Sequence, residues 1–229
     1  MFEINKRSLL KKGIHFGSLT KKLNSTMISY IHKKNEKIYL LNIKKIISSC
    51  LGLNNYIKKI IEEKKNILFL CTDKKSKKKV KLNAIKCGMP YIVNKWQAGF
   101  LTNFEIIKFK LRELNKLINV FQKEDRNHLL FTKKQKMILE KRKKKLLDIY
   151  EGVIDLKKIP DILFIIGLND QKNALQEAKK MNIPIIAVCN TNCNSKMIDY
   201  IIPGNDNKKK SIDFFSNLIS EIILNKKKC

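Results

Sequence analysis

Glycine and proline are scarce in this sequence, at eight and four of 229 residues. That excludes a collagen-like chain and one dominated by flexible linkers. Long apolar runs are missing too. None, Ile162 to Ile166 included, exceeds five residues, far short of the ~20 that a bilayer-spanning helix needs, so no membrane partner is expected. The opening Met1-Phe2-Glu3-Ile4-Asn5-Lys6-Arg7 has no apolar stretch of the secretory kind. Enzyme signatures are equally absent. There is no Gly-x-Gly-x-x-Gly, no Gly-x4-Gly-Lys-Ser/Thr, no Gly-x-Ser-x-Gly and no His-Glu-x-x-His. A strand-to-helix turn such as Thr72-Asp73-Lys74-Lys75 lacks the glycines that let backbone amides approach a phosphate. The expectation is a protein without a catalytic centre, cofactor or small-molecule substrate.

Histidine and cysteine supply little more. His15, His32 and His128 are scattered. His15 lies in the constrained Gly13-Ile14-His15-Phe16-Gly17 and reads better as a packed or RNA-facing side chain than as an acid or base. Cysteines stand at 50, 71, 87, 189, 193 and 229. Four of these sit in apolar or element-terminal surroundings, which suits a reducing compartment rather than a disulfide scaffold. Cys189 and Cys193 form one close pair, and a zinc site ordinarily needs two such pairs.

What the chain has in abundance is lysine. Lys and Arg total 49 against 20 Asp and Glu, a formal net charge of +29. Arginine appears only at 7, 112, 126 and 142, so 45 of the basic residues are lysine. Lys, Asn and Ile share AT-rich codons, so part of the excess reflects base composition. The imbalance still demands a polyanionic partner, because so basic a compact chain repels itself. With 44% hydrophobic residues, the chain has enough apolar content for a core and is no disordered tail.

Short apolar runs alternate with amphipathic ones. Strands are expected at Ile38–Leu41, Ile67–Cys71, Tyr91–Val93, Ile162–Ile166, Ile183–Cys189 and Tyr200–Ile202. Helices are expected from Ile43 to about Lys64, from an N-cap at Thr72 or Asp73 to Cys87, from Asp170 to Met181 and from Asn207 to Leu224. Such alternation points to an α/β, doubly wound, flavodoxin- or Rossmann-like parallel sheet with helices on both faces. An insertion interrupts it. Phe104, Ile107, Leu111, Leu114, Ile118 and Phe121 follow the spacing of a coiled-coil seam, opened by a capping box at Thr102-x-x-Glu105. After a break at about Lys123 to Leu130, a second capping box at Thr132-x-x-Gln135 opens a helix to Tyr150. The pair predicts an antiparallel coiled-coil hairpin over 102–150, inserted between the two parts of a sheet domain, 1–101 and 151–229.

The hairpin's second helix carries Lys141-Arg142-Lys143-Lys144-Lys145, a turn basic all round that must face water or a polyanion. Lys108, Lys110 and Arg112 add charge on the first helix. The cluster Lys74, Lys75, Lys77, Lys78, Lys79 and Lys81 reads equally as phosphate ligands or as a solvated helix face, and Lys226-Lys227-Lys228 reads mainly as the latter. Two polar stretches combine glycine, amides and aromatics: residues 13–25, and 94–104 with Trp96. Trp96 has two readings, a base-stacking surface or a brace that packs the hairpin root onto the sheet.

These stretches carry a resemblance. Leu10-Lys11-Lys12-Gly13-Ile14-His15-Phe16-Gly17 resembles the opening motif of the bacterial-type small-subunit ribosomal protein two family. Cys87 to Tyr91 and Trp96 to Phe104 are similar to its central motif, with Leu-Thr-Asn-Phe complete at 101–104. Pro160 to Phe164 resembles the strand after its hairpin, and Thr191-Asn192-Cys193 with Asp199 to Asp206 its C-terminal signature. The chain departs from the pattern at Ser18-Leu19-Thr20, Leu23-Asn24-Ser25 and Asn94 to Gly99, where arginines give way to lysine or vanish. Lysine offers a point charge where arginine offers a bidentate fork.

The resemblance implies the same sheet and coiled-coil hairpin, no catalysis, and a structural role in the small ribosomal subunit, in the bacterial cytoplasm or a plastid-like organelle. It implies small-subunit ribosomal RNA and neighbouring ribosomal proteins as partners, with docking of the messenger-binding protein one. Lys21, Lys22, Asn24, Lys95, Trp96, Thr102 and Asn103 fall at motif positions that touch or support RNA. Two competing readings stand beside it, a nucleotide-binding enzyme on a doubly wound fold and a general basic RNA chaperone.

Overall fold

The structure, a computed structural model, describes residues 5–122 and 131–227. The expected break at 123–130, His128, the end of the Lys226-Lys227-Lys228 tail and Cys229 lie outside them. Five parallel strands form the central sheet: β4 (Ile67–Leu70), β5 (Tyr91–Ile92), β6 (Ile162–Ile166), β7 (Ile185–Cys189) and β8 (Tyr200–Pro203), in the order β5-β4-β6-β7-β8. Chain connections lead outward in both directions from the β4/β6 boundary, which makes the sheet doubly wound.

Strand sequence decides which layer each residue feeds. Side chains alternate across a strand. Accordingly Ile67, Phe69 and Cys71 pack with Phe164, Ile166, Val188 and Ile202 in one apolar layer. Leu68 and Leu70 pack with Leu163, Ile165, Ile185 and Ala187 in the other. Both faces are covered, so these strands read as unbroken apolar runs. Phe69, Phe164, Leu163 and Ile186 are wholly buried, and each such side chain contributes about 1.5–3 kcal/mol.

The first layer is closed by α2 (Ile43–Glu62), α3 (Lys77–Cys87) and α7 (Lys209–Lys227), with α1 (Lys6–Lys12) against α2. The second is closed by α6 (Lys172–Lys180) and by the roots of α4 (Phe104–Gln122) and α5 (Lys133–Tyr150). Two helices begin later than their sequences suggest. Asp73 Oδ2 accepts the Ser76 N–H at 3.0 Å, so a separate turn precedes α3, and Ser76 takes the N-cap position. Leu168–Asp170 forms a 3-10 turn ahead of α6. Gly88, at φ +63°, ends α3 in the left-handed conformation that glycine adopts without strain.

The N-terminal region departs from expectation. Residues 16–35 include β1 (Phe16–Leu19) and β2 (Ile31–Asn35), which flank β3 (Ile38–Leu41) in a separate antiparallel sheet of order β1-β3-β2. The strand expected at 38–41 therefore belongs to this smaller sheet. Within the insertion, α4 and α5 pack against each other. The seam residues Phe104, Ile107, Leu111 and Leu114 are buried with Tyr150, while Ile118 is partly buried against the same cluster. The helix α5 opens on the expected capping box: Thr132 Oγ1 accepts the Gln135 N–H at 3.3 Å, and Gln135 Oε1 accepts the Thr132 N–H at 2.9 Å. The other box does not hold its position. Helix α4 begins at Phe104, with Asn103 rather than Thr102 just ahead of it, and Glu105 binds Lys108 Nζ at 2.7 Å.

Candidate nucleic-acid interface

In a parallel sheet every loop that follows a strand emerges at the same carboxyl edge. Here those loops carry Thr72, Asn94 to Trp96, Gly167 to Gln171, Asn190 to Cys193 and Gly204 to Asp206. Lys21, Lys22 and Asn24 join the Thr191 loop at this edge, and Lys95 and Trp96 leave β5 there, whereas Thr102 and Asn103 lie away from it, beside Lys157, Lys158 and Met181, which precede β6 and β7.

Lys21 and Lys22 are exposed on a 3-10 turn, Thr20–Lys22. Asn24 is half-buried and holds the next turn together. Its Oδ1 accepts the Thr26 N–H at 3.1 Å and the Thr26 hydroxyl at 2.9 Å. The segment is sewn to the loop after β7: Asn24 N–H donates to the Thr191 carbonyl at 2.9 Å, Ser18 N–H to Thr191 Oγ1 at 2.8 Å, and Ser195 N–H to Thr26 Oγ1 at 3.1 Å. Gly17 is required here, because a Cβ would stand 2.8 Å from both Thr191 Cγ2 and the Tyr39 carbonyl. Asn24 thus caps the turn that follows the two lysines, and its N–H ties the segment to the Thr191 loop.

Deeper in this loop, Asn190 Nδ2 donates to Asp206 Oδ1 at 2.9 Å. Burial pushes the Asp206 carboxyl above its ordinary range. Cys189 and Cys193 are fully buried beside it, and among the described residues no cluster of three His, Cys, Asp or Glu side chains could hold a metal ion. His15 is held below its ordinary range, first by burial and then by the Lys208 ammonium.

The second motif loop is organised by a residue that sequence reasoning missed. Glu177 on α6 accepts the Trp96 indole N–H at 3.0 Å and the Gly99 N–H at 2.9 Å on Oε1, and the Leu101 N–H at 2.9 Å on Oε2. Trp96 is buried and its ring lies 5.0 Å from Phe100. It is therefore a brace, and its face is not open for base stacking. Lys95 beside it is exposed and lines a cleft of about 430 Å³ with Thr72, Asn169, Asp170 and Lys172. Asn103 is exposed and Thr102 half-buried; both line a second groove with Lys108, Lys157 and Lys158. Lys95 and the Thr191 loop leave strands three positions apart in the sheet, or ~14 Å at ordinary strand spacing.

On α4 and α5, Arg112, Lys141, Arg142, Lys144 and Lys145 are exposed, and Lys108, Lys110 and Lys143 are half-buried. The basic turn is not uniform. Arg142 Nε pairs with Glu113 of α4, and Lys143 Nζ lies 4.5 Å from the centre of the Phe121 ring. Those two residues fasten α5 to α4, whereas Lys141, Lys144 and Lys145 are exposed.

The structure thus defines a doubly wound α/β protein whose sheet edge and paired insertion helices both display lysine. A family model described as Ribosomal protein S2 matches residues 9–225. The small ribosomal subunit protein uS2 of Nitratiruptor sp. is 37% identical over 221 residues, covering 96% of this chain and 82% of the relative. That of Campylobacter concisus is 34% identical over 220 residues, covering 96% and 83%. That of Bdellovibrio bacteriovorus is 32% identical over 224 residues, covering 98% and 71%. The chain belongs to the ribosomal protein S2 family, and so to structural proteins of the ribosome rather than to enzymes.

Proposed function

We propose that this chain is a structural component of the small ribosomal subunit that binds small-subunit ribosomal RNA and supports translation. The observation that carries the reading is the pairing of exposed lysines with loops fixed from beneath. Lys95 is seated beside the Glu177-braced Trp96, and Lys21 and Lys22 stand on a turn sewn to Thr191. A rigid scaffold that presents point charges suits phosphate contacts that position a protein on folded RNA. The expected sheet domain of 1–101 and 151–229 holds the loops. The 102–150 coiled-coil hairpin reaches out with Lys108, Lys110, Arg112, Lys141, Lys144 and Lys145. Neighbouring ribosomal proteins, including protein one, dock on the assembled face. Every relative named above is bacterial, which favours a bacterial ribosome over an organellar one.

The test is sedimentation of a native lysate at low magnesium, with the chain located by mass spectrometry. Stoichiometric migration with the small subunit through a moderate salt wash supports the reading; recovery in the soluble fractions while other small-subunit proteins sediment refutes it. In isolation the protein should bind folded small-subunit RNA with a log–log salt slope of about −5, for roughly six neutralised phosphates. Undiminished competition by unrelated RNA would instead favour the general chaperone.

A further inference from the structure

The lysine cluster that begins at Lys74 has a place in the structure that the motif loops do not explain. Lys77 Nζ donates to Asn94 Oδ1 at 3.1 Å, and Lys81 Nζ binds Glu151 at 2.6 Å, so both tie α3 to its neighbours. Lys79 does something else. It lines a groove of about 590 Å³ together with Lys11 and Lys12 from the last turn of α1 and Lys210 from the first turn of α7. Buried Leu9 and Phe214 line it as well, and Lys12 Nζ sits 4.5 Å from the centre of the Phe214 ring. Three separate elements thus bring four lysines to the lining of one concave surface. Among the described residues Asp213 is the one acidic side chain that lines it.

This placement runs against local electrostatics. Helices α3 and α7 pack side by side, and each follows a strand of the parallel sheet, so both N-termini lie at the carboxyl edge. The N-terminal end of a helix carries partial positive charge and favours acidic residues. Neither helix has an acid in its first turn. They carry Lys77, Lys78 and Lys79, and Lys209 and Lys210, instead. Asp73, in the turn before α3, and Asp213, in the second turn of α7, are the carboxylates beside these ends, and they are outnumbered by the lysines of the two first turns. A bound anion would relieve that excess. The lysines supply the many rotatable donors that phosphate oxygens accept.

We propose that the α1–α3–α7 groove is a second RNA seat, which takes backbone phosphates of ribosomal RNA independently of the hairpin and the motif loops. The proposal rests on the RNA-binding reading above and adds a surface to it.

The experiment compares the full chain with Lys79→Gln/Lys210→Gln and, separately, with Lys141→Gln/Lys144→Gln/Lys145→Gln. Each is titrated with folded small-subunit RNA across a salt series. The groove variant should bind about tenfold more weakly, with a salt slope shallower by about 2 and losses that add to those of the hairpin variant. Lys11→Gln/Lys210→Gln repeats the measurement without disturbing Lys79 beside Asp213. Groove variants with unchanged affinity and slope, against a parent that binds, overturn the groove alone and leave a solvated lysine face. A parent that does not bind the RNA overturns the RNA-binding reading and the groove with it. Thermal melts in inorganic phosphate against chloride at equal ionic strength separate the sources. Stabilisation by phosphate that the groove variants lose, joined to unchanged RNA affinity, would make this a free-anion site and refute the RNA seat.

Discussion

Glu177 and Trp96 are joined by a 3.0 Å hydrogen bond from the indole N–H to Oε1, across 81 residues of sequence. The same carboxylate takes the Gly99 and Leu101 amides. One side chain on α6 therefore sets the path of the loop that presents Lys95 and leads into α4. Glu177→Ala strands three donors, and hydrogen bonds to a charged group contribute about 1.5–3 kcal/mol each when both partners are held. Because the site is part-buried and water can reach some of it, we expect a loss of about 2–3 kcal/mol in denaturant melts. RNA affinity should fall as well, since Lys95, Thr102 and Asn103 lose their support. Glu177→Gln keeps acceptor capacity at one oxygen and should recover part of both. Equal behaviour of the Ala variant and the parent would show that the loop is held by packing alone.

The charged turn of α5 makes a sharper prediction now that its residues have been sorted. Reversal of Lys141, Lys144 and Lys145 to Glu should weaken RNA association and leave the α4–α5 pairing folded. Reversal of Arg142 and Lys143 should instead loosen the pairing, because it places carboxylates beside Glu113 and Phe121. Circular dichroism melts read alongside RNA binding distinguish the two sets. An unaltered affinity after the first reversal would assign those lysines to solvent.

Apolar patterning made the central sheet legible, since strands buried on both faces show as short continuous runs such as Ile162 to Ile166. The capping box at Thr132 marked the start of α5 because its signal is contained within four residues. What was hidden depended on distant partners. Nothing near Trp96 in the chain shows that Glu177 will meet it. Ile31-His32-Lys33-Lys34-Asn35 hides β2, because four of its five residues are exposed and the strand is held by pairing with β3. The start of α3 was misplaced because Asp73 caps a turn of its own before Ser76. The lysine run at 141–145 looked uniform because charge in sequence does not reveal which side chains a neighbouring helix will claim.

The seam of the insertion carries its own test. Leu114 is fully buried on α4, whereas Phe109 on the same helix is 67% exposed. Leu114→Ala should cost about 2–5 kcal/mol, the range for a leucine removed from a packed site. Phe109→Ala should stay within about 0.5 kcal/mol. Thr132→Ala should cost about 1 kcal/mol by removing the cap of α5. Urea titrations of the three variants establish the order. A small effect at Leu114 would mean that the two helices do not depend on this seam.

Buried Asp206 and half-buried His15, at the N-terminal motif, make opposite contributions to stability as pH changes. The Asp206 carboxyl is raised above its ordinary 3.8, mainly by burial. Its stabilising contribution is complete below that value, where the group is protonated in both states, and is lost as pH rises through the folded value. His15 is lowered from its ordinary 6.5 by burial and then by Lys208. Its contribution is complete above 6.5 and is lost as pH falls through the folded value. Asp206→Asn keeps an oxygen for Asn190 Nδ2, which lies 2.9 Å away, and abolishes the first dependence. At neutral pH it should be more stable than the parent, with the advantage vanishing in acid. His15→Gln should lessen the parent's loss of stability between neutral pH and the folded His15 range. Denaturant unfolding of all three proteins at intervals from about pH 4 to 8 tests both signs. An Asp206→Asn variant less stable than the parent at neutral pH would show that the carboxylate's hydrogen bonds outweigh the penalty of burying its charge.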